Sequence, residues 1–145
     1  MLYNIKEFAE MFHTTEHTIR YYTDIGLLPC QRDSGNRRVF NEESVNWMRG
    51  ISCLKCCGTP IKDIQEYCRL CRLEESLDNL LARYRILLGQ QAEVHRKAEE
   101  AKSAAEYMDF KIRHYEEILA GLIPDDTNPG KWEAESGCKT KTEGL

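Results

Sequence analysis

Thiol side chains are the most chemically distinctive feature of this sequence. Five of its seven cysteines fall close together, at Cys53, Cys56, Cys57, Cys68 and Cys71. A thiolate can attack an electrophile, several thiolates can hold a soft metal ion, and two thiols can form a disulfide. The spacing is wrong for a zinc ribbon, and a pair within one helix is poorly placed for a disulfide. Most free cysteines are small apolar residues that only pack, so packing, metal binding and redox chemistry all stay open at this point.

The cysteine number and the N-terminus both favour reduced thiols in a cytoplasmic protein. Seven is an odd number, the N-terminal residues do not form a secretory signal, and no apolar run is long enough to cross a membrane. Catalytic sets are missing as well, because there is no phosphate loop and the four histidines lie apart on separate predicted helices. We therefore expect neither enzyme activity nor a cofactor.

A second chemically active set is the basic and aromatic face of residues 14–28. Ile19, Tyr22 and Ile25 share one helical stripe and are expected to face the core. The remaining positions are suited to DNA, since an Arg can hold a phosphate or a guanine edge and a Tyr hydroxyl can donate to phosphate. The alternative is an ordinary solvated face. The residues predicted to contact DNA here are Thr15, His17, Arg20, Tyr21 and Tyr22. Tyr22 is expected to lie half in the core.

The flanking residues predict that this helix is the second helix of a helix-turn-helix. Residues 4–12 form an amphipathic segment just before it, and two short helices joined by a tight turn make the motif whose second helix enters the major groove. Thr15 is the predicted N-cap, and Gly26 fits a position with positive φ after the helix.

A hairpin is predicted directly after the second helix. Residues 33–36 are dense in turn formers, and short extended runs flank them. Such a hairpin would be a wing, with Arg32 nearby and with Arg37 and Arg38 predicted to contact phosphates. Two wings in a dimer would contribute to salt-dependent affinity.

The cysteines lie on a predicted helix pair. Asn41 caps a helix over residues 42–57, and Gly58 ends it. Thr59 is the predicted cap of a second helix over residues 60–72, with Pro60 at its first position.

From Leu73 onward an apolar seam repeats in alternating steps of four and three residues. This pattern is typical of the a and d positions of a coiled coil. A lone helix of about 48 residues, or roughly 70 Å, cannot bury its seam, so a partner helix is expected; an intramolecular helical hairpin would need a turn that the sequence lacks. The seam residues are Leu73, Leu77, Leu80, Tyr84, Leu87, Gln91, Val94, Ala98, Ala101, Ala105, Met108, Ile112, Tyr115, Leu119 and Leu122.

The fold expected from these patterns is mainly α-helical. Residues 1–73 form a winged helix-turn-helix domain with a helix-pair extension, residues 74–122 form the coiled-coil dimerisation helix, and residues 123–145 form a flexible tail that contains Trp132 and Cys138. The net charge of −4 looks unfavourable for DNA binding, but the acidity belongs to the second half. Residues 1–73 carry ten Lys and Arg against nine Asp and Glu, whereas residues 74–145 carry ten against fifteen.

The residues quoted above resemble the MerR family of bacterial transcription regulators. The resemblance rests on Thr18-Ile19-Arg20-Tyr21-Tyr22, on Ile25-Gly26-Leu27-Leu28, on the Arg-rich wing that ends in Phe40, and on the long helix. It implies a homodimer with antiparallel helices, bound to a palindromic operator between promoter elements that are too far apart. Effector binding would then bend and untwist the DNA so that RNA polymerase can read both elements.

A narrower resemblance is to the AdhR/NmlR branch, which responds to aldehydes and other electrophiles through one cysteine. It is carried by residues 47–55 and 58–67 and by Met108-Asp109-Phe110-Lys111-Ile112, and it places the sensor thiol at Cys53. Two positions depart from the family pattern, since His13 and Asn36 stand where Gly is commoner. Asn tolerates positive φ, so the turn at Asn36 should survive.

The leading hypothesis is therefore a dimeric activator of transcription that distorts promoter DNA and responds to a thiol-reactive signal through Cys53. One alternative is a soft-metal sensor that uses Cys53, Cys56, Cys57, Cys68 and Cys71. Others are a drug-responsive or constitutive DNA-binding protein with inert cysteines, and a structural coiled-coil scaffold.

Overall fold

The computed structural model describes residues 1–133 and is mainly helical, as predicted. Cys138 and the rest of residues 134–145 lie outside the described residues. The described chain divides into two compact units, Met1–Lys97 and a second one that begins at Ala98. Along the described residues, no helix combines the length and apolarity needed to cross a bilayer.

The helix-turn-helix consists of α1 (Ile5–Met11) and α2 (Glu16–Asp24). Side chains that the sequence places at the helix starts accept backbone N–H groups there: Asn4 Oδ1 accepts from Glu7, and Thr15 Oγ1 accepts from Thr18. The predicted cap at Thr15 is therefore formed, and Asn4, which was expected to belong to the helical segment, caps α1, because Asn and Thr satisfy the amides that a helix N-terminus leaves free. Gly26, just after α2, has φ of +73°, which confirms the prediction of positive φ there.

A three-stranded antiparallel sheet forms the wing. Its strands are β1 (Tyr3–Asn4), β2 (Gln31–Arg32) and β3 (Arg38–Phe40), in the spatial order β1-β3-β2. The hairpin of β2 and β3 was predicted, but β1 was not, since two residues at the chain start carry no alternation pattern. The pairing of Tyr3 with Phe40 joins the wing to the start of the chain.

The helix pair consists of α3 (Glu42–Cys56) and α4 (Ile61–Cys71). Asn41 caps α3 as predicted, with its Oδ1 accepting from the Ser44 N–H at 3.0 Å. The predicted cap of α4 is wrong: Pro60 holds the N-cap position and makes no side-chain bond there. Thr59 is instead buried, and its hydroxyl has no partner among the described residues.

A single apolar core joins the helix-turn-helix, the wing and the helix pair. The ring centroids of Phe8 and Phe40 lie 4.2 Å apart in a stacked arrangement. Burial of this many large side chains supplies most of the driving force for folding of this region. The largest fully buried apolar side chains are those of Phe8, Ile19, Leu27, Leu28, Phe40, Ile51 and Ile64.

The long helix α5 runs from Leu77 to Leu119 and contains no buried residue. It begins later than the seam predicted, because Ser76 caps it by accepting the Asn79 N–H at 3.1 Å, so Leu73 lies outside the helix. The first unit extends to Lys97, beyond the predicted domain boundary at residue 73. One physical reason is that Gln90 of α5 donates to Asp63 of α4 at 2.9 Å.

The described part of the segment predicted as a tail, residues 123–133, contains a 3-10 helix over Pro129–Lys131. Trp132 donates its Nε1–H to the carbonyl of Asp126 at 2.7 Å. The Asp126 side chain also contacts His114 of α5, with its Oδ1 beside the His114 Nε2. These contacts all lie within the second unit.

Candidate nucleic-acid interface and thiol cluster

The exposed face of α2 presents four of the five side chains that the sequence assigned to DNA on this helix. Thr15, His17, Arg20 and Tyr21 are exposed. Arg20 is held by Glu16 one turn earlier, at 2.8 Å from Nη2 to Oε2. An exposed pair of this kind is weak, so phosphate can compete with Glu16 for the guanidinium. The face is thus able to offer a cation and a phenol hydroxyl to a nucleic acid.

Tyr22 differs from Tyr21 because it lies in the core. It is only 6% exposed, whereas the Tyr21 side chain beside it is exposed, and the two ring centroids are 6.0 Å apart. Burial, together with the neighbouring Tyr21, raises the pKa of the Tyr22 hydroxyl. The structure therefore makes Tyr22 a packing residue that holds α2 in place.

The turn between α1 and α2 contains a residue in the left-handed region. His13 has φ of 51°, and the Thr14 N–H donates to the Ala9 carbonyl at 3.0 Å, which closes the turn. A non-glycine residue in this region is strained. The expectation that a Gly would be commoner at this position therefore has a backbone reason.

Asp33 organises the wing tip. Its Oδ1 accepts from the backbone N–H groups of Gly35 and Arg37, each at 2.9 Å, and Asn36 completes the turn with φ of 58°. A three-residue loop with its last residue in the left-handed region is a common hairpin connection. The hydrogen bond from the Arg37 amide, above all, lowers the pKa of the Asp33 carboxyl.

The two wing arginines have different environments. The Arg37 side chain is 81% exposed and lies 3.0 Å from Asp33, so it remains available to phosphate. The Arg38 side chain is only 20% exposed and is paired with Asp24 at the end of α2. Arg38 therefore joins the wing to the recognition helix, which the sequence did not indicate.

Arg72, at the end of α4, is a further residue that sequence reasoning missed. Its Nη1 and Nη2 donate to the carbonyls of Gly26 and Leu27, at 2.8 and 2.6 Å. Its guanidinium also lies over the ring of Trp47 on α3, 4.5 Å from the centroid. The carbonyls near the end of a helix lack helical partners, and a cation can satisfy them. Nothing local in the sequence shows that Arg72 does this for the residues that follow α2.

The cysteines do not converge. Cys53, Cys56 and Cys57 are exposed, Cys68 is buried and Cys71 is half-buried. Within residues 1–133, no group of three or more His, Cys, Asp or Glu side chains is arranged to hold a metal ion. The residues of the soft-metal alternative, Cys53, Cys56, Cys57, Cys68 and Cys71, are therefore not assembled as a ligand set in this part of the chain.

An apolar groove of about 250 Å³ runs between α3 and α4. Trp47, Ile51 and Leu54 of α3 face Tyr67 and Cys68 of α4 across it. Trp47 thus lines the groove and also contacts Arg72, the residue that donates to the carbonyls after α2.

Comparison with known proteins agrees with this architecture. Residues 3–71 match the family model described as the MerR HTH family of regulatory proteins. The chain is similar to the HTH-type transcriptional regulator AdhR of Bacillus subtilis, with 34% identity over 84 residues, which are 54% of this chain and 60% of AdhR.

Two solved structures extend the likeness over most of the chain. A MerR family transcriptional regulator from Bacillus thuringiensis is 33% identical, with a TM-score of 0.64 and coverage of 79% of this chain and 100% of that one. HiNmlR, a MerR family regulator that lacks the sensor domain and was crystallised bound to promoter DNA, is 26% identical, with a TM-score of 0.70 and coverage of 83% and 90%.

Proposed function

This chain belongs to the MerR family and is a DNA-binding transcriptional regulator, and we propose that it acts as a homodimer that distorts promoter DNA in response to a thiol-reactive signal. The observation that carries the proposal is the exposed face of α2 together with the wing that Arg38 ties to it. In this proposal residues 1–73 bind DNA and residues 74–122 dimerise.

The contacts to DNA divide into two kinds. Thr15 and His17 lie at the start of α2, the end of a recognition helix that meets base edges. Arg20 and Tyr21 on α2, and Arg37 on the wing, hold phosphates or, for Arg20, a guanine edge. Tyr22 and Arg38, which were first predicted to contact DNA, act by positioning these groups.

The first test is operator binding by Arg20→Ala. We expect a loss of affinity of roughly tenfold or more, and a salt slope reduced by about one if Arg20 contacts a phosphate. Arg69→Ala is the matched control, because Arg69 is also exposed and is paired with a Glu of its own helix, Glu66, at 2.7 Å. Equal affinity in Arg20→Ala and wild type would contradict the DNA-reading role of α2.

Dimerisation is supported by the surface of α5. Its large apolar side chains are exposed at successive seam positions, including Leu80, Tyr84, Met108, Ile112 and Leu119. A helix with such a stripe and no buried residue is stable only when another surface covers the stripe. A second copy of α5, antiparallel to the first, has the same stripe and can cover it.

The promoter mechanism follows the family resemblance. Two recognition helices in a dimer bind the half-sites of a palindromic operator, and the distance between them determines the DNA geometry. A change in that distance bends and untwists the promoter so that RNA polymerase can engage both of its elements, a distortion that costs a few kcal/mol and is offset by protein contacts.

Cys53 is the proposed sensor thiol. It is exposed on α3, the helix that also carries Trp47 and therefore contacts Arg72. A small electrophile can reach an exposed thiol, and reaction occurs through the thiolate. Covalent attachment on α3 can then change the position of α2 through Trp47 and Arg72.

The second test is transcription from the natural promoter with formaldehyde or methylglyoxal. We expect Cys53→Ser to lose induction while it keeps wild-type operator binding, and we expect Cys56→Ser, at another exposed cysteine of α3, to keep both. Equal induction of Cys53→Ser and wild type would rule out Cys53 as the sensor without affecting the DNA-binding proposal.

A further inference from the structure

The end of α4 carries two thiols with different surroundings. Cys68 and Cys71 are separated by Arg69 and Leu70, and Cys71 is the last residue of the helix. Cys68 is only 3% exposed, whereas Cys71 is half-buried. They are the fourth and fifth members of the cysteine group, and the proposed sensor mechanism leaves both without a role.

The Cys71 sulfur lies in a polar environment. Arg83 of α5 donates from Nη1 to the Cys71 Sγ at 3.6 Å. Burial and, next, the charge of Cys71 raise the pKa of the Tyr67 hydroxyl, one turn earlier on α4. The Arg83 guanidinium therefore lies beside the sulfur atom that would attack an oxidant. The buried Nε–H of Arg83 has no acceptor among the described residues, so it is an available donor for an oxygen atom added to the sulfur.

Cys68 is the less reactive of the two. Burial, above all, raises the pKa of its thiol to about 11; the charge of Arg72 lowers this pKa and that of Cys71 raises it. Cys68 and Cys71 lie three residues apart on α4, so their side chains are neighbours on one face of the helix. In the order we infer, Cys71 attacks an oxidant first, because it is the more exposed thiol and lies beside Arg83, and Cys68 reacts second.

Arg72, the next residue after Cys71, holds the recognition helix. It donates to the carbonyls of Gly26 and Leu27 and stacks on Trp47. A displacement of Cys71 therefore displaces the residue that binds the end of α2.

We propose that Cys68 and Cys71 form a redox site distinct from Cys53, in which a hydroperoxide oxidises the two thiols to a disulfide. Formation of the disulfide releases Arg72 from the residues after α2, and this effect rests on the proposed DNA-binding function. The Cys71 thiolate attacks the peroxide, so that an S–O bond forms, the O–O bond breaks and an alcohol or water leaves with the thiol proton. The Cys68 sulfur then attacks the sulfenic acid, so that the S–S bond forms, the S–O bond breaks and water leaves with the Cys68 proton. The two thiols lose two electrons and the peroxide gains them.

Helix geometry links this bond to movement. Cβ atoms three residues apart on a helix are about 5–6 Å from each other, whereas a disulfide brings them to about 3.8 Å. The bond forms only if the last turn of α4 unwinds, and that turn leads directly into Arg72. Oxidation at this site therefore changes the backbone that positions the Arg72 donors.

The direct test maps the bond in full-length protein treated with hydrogen peroxide. Trypsin cleaves after Lys62, Arg69 and Arg72, so Cys68 and Cys71 fall in separate peptides, residues 63–69 and 70–72. We expect these peptides to be linked after oxidation and separated by dithiothreitol, in wild type and in Cys53→Ser alike. Oxidation of Cys71 to a sulfinic acid without any linked peptide, or a link from Cys71 to Cys53, would overturn the proposal.

The functional test measures operator affinity of reduced and oxidised protein. Oxidation is expected to lower affinity by roughly fivefold or more in wild type and in Cys53→Ser, and to have no effect in Cys71→Ser. Arg72→Met is expected to show the low affinity already in the reduced state, with Arg69→Met as the control on the same helix.

The two proposals fail in different ways. Linked peptides with unchanged operator affinity would refute the connection through Arg72, since the bond would then form without consequence. Absence of duplex binding by the reduced wild type would refute the proposed function, whereas the peptide map would still report on the disulfide. The tests use Cys71→Ser and not Cys68→Ser, because Cys68 is buried and its substitution can disturb folding. Substitution of the more exposed Cys71 prevents the same disulfide.

Discussion

At the residue scale, two turn residues have backbone conformations that few residue types adopt. His13 has φ of 51° and Asn36 has φ of 58°, and both lie in the left-handed region. Only Gly adopts this region without cost, and Asn tolerates it better than His does. His13 is therefore the position in the DNA-binding domain where backbone strain is greatest.

We predict that His13→Gly stabilises the protein by about 0.5–1 kcal/mol, because the strain removed exceeds the chain entropy that Gly adds. Urea denaturation monitored by circular dichroism measures the difference. The control is His17→Gly, which puts the same residue within α2 and is expected to destabilise by about 0.5–1 kcal/mol. Destabilisation by both substitutions would show that the turn is not strained.

The residue scale also shows the limit of sequence reasoning. Thr15 and Asn41 were predicted as caps and are caps, because a cap contacts only the following turn. Arg37 and Arg38 looked equivalent, but Arg37 lies in the turn and Arg38 begins β3, and only the fold shows that Asp24 lies beside Arg38. Arg72 was missed for the same reason, since its acceptors are more than forty residues away in sequence.

At the element scale, the wing and the recognition helix behave as one piece. Arg38 of β3 pairs with Asp24 of α2, and the wing strand β3 is also paired with β1 at the start of the chain. The central strand β3 thus connects the wing both to α2 and to the first strand. The sequence predicted the hairpin and the helix separately, but not this connection between them.

We predict that Asp24→Asn lowers operator affinity several-fold while it lowers the free energy of unfolding by no more than about 1 kcal/mol, since Asp24 is largely exposed. Fluorescence anisotropy with labelled operator and urea denaturation measure the two effects. In a double-mutant cycle, Arg38→Met should add little once Asp24 is changed. Full additivity of the two substitutions would mean that the pair does not couple the wing to α2.

Element boundaries were predictable where caps are local and not where they depend on neighbours. The start of α3 matched, whereas α5 begins at Leu77 and not at Leu73. The heptad pattern includes Leu73, but Leu73 lies between α4 and α5. It follows Arg72, whose side chain contacts the residues after α2. The seam therefore overstated the helix at both ends, because Leu73 and Leu122 match the period but lie outside α5.

At the scale of the whole molecule, the distribution of apolar surface predicts assembly. The first unit buries a core, whereas α5 leaves its apolar stripe exposed. In the proposed dimer these stripes face each other. The sequence predicted the stripe from its period, but the period alone could not give the orientation of the partner helix.

We predict that Ile112→Asp weakens the dimer, because each buried Ile contributes about 1.5–3 kcal/mol and the charge must be desolvated. Sedimentation equilibrium should show a dissociation constant raised by roughly tenfold or more. Arg113→Asp introduces the same residue one position away from the seam and should leave the dimer intact. Equal effects at both positions would contradict an interface along the seam.

The exposed stripe on α5 has a consequence for how the regulator responds to its own abundance. When protomers are in excess over dimers, the dimer concentration follows the square of the protomer concentration, since association obeys mass action. Halving synthesis of the chain would then leave about a quarter of the species that occupies the operator. If the chain acts as the proposed dimer, control of the target promoter is therefore sensitive to gene dosage and to proteolysis, quite apart from any chemistry at the cysteines.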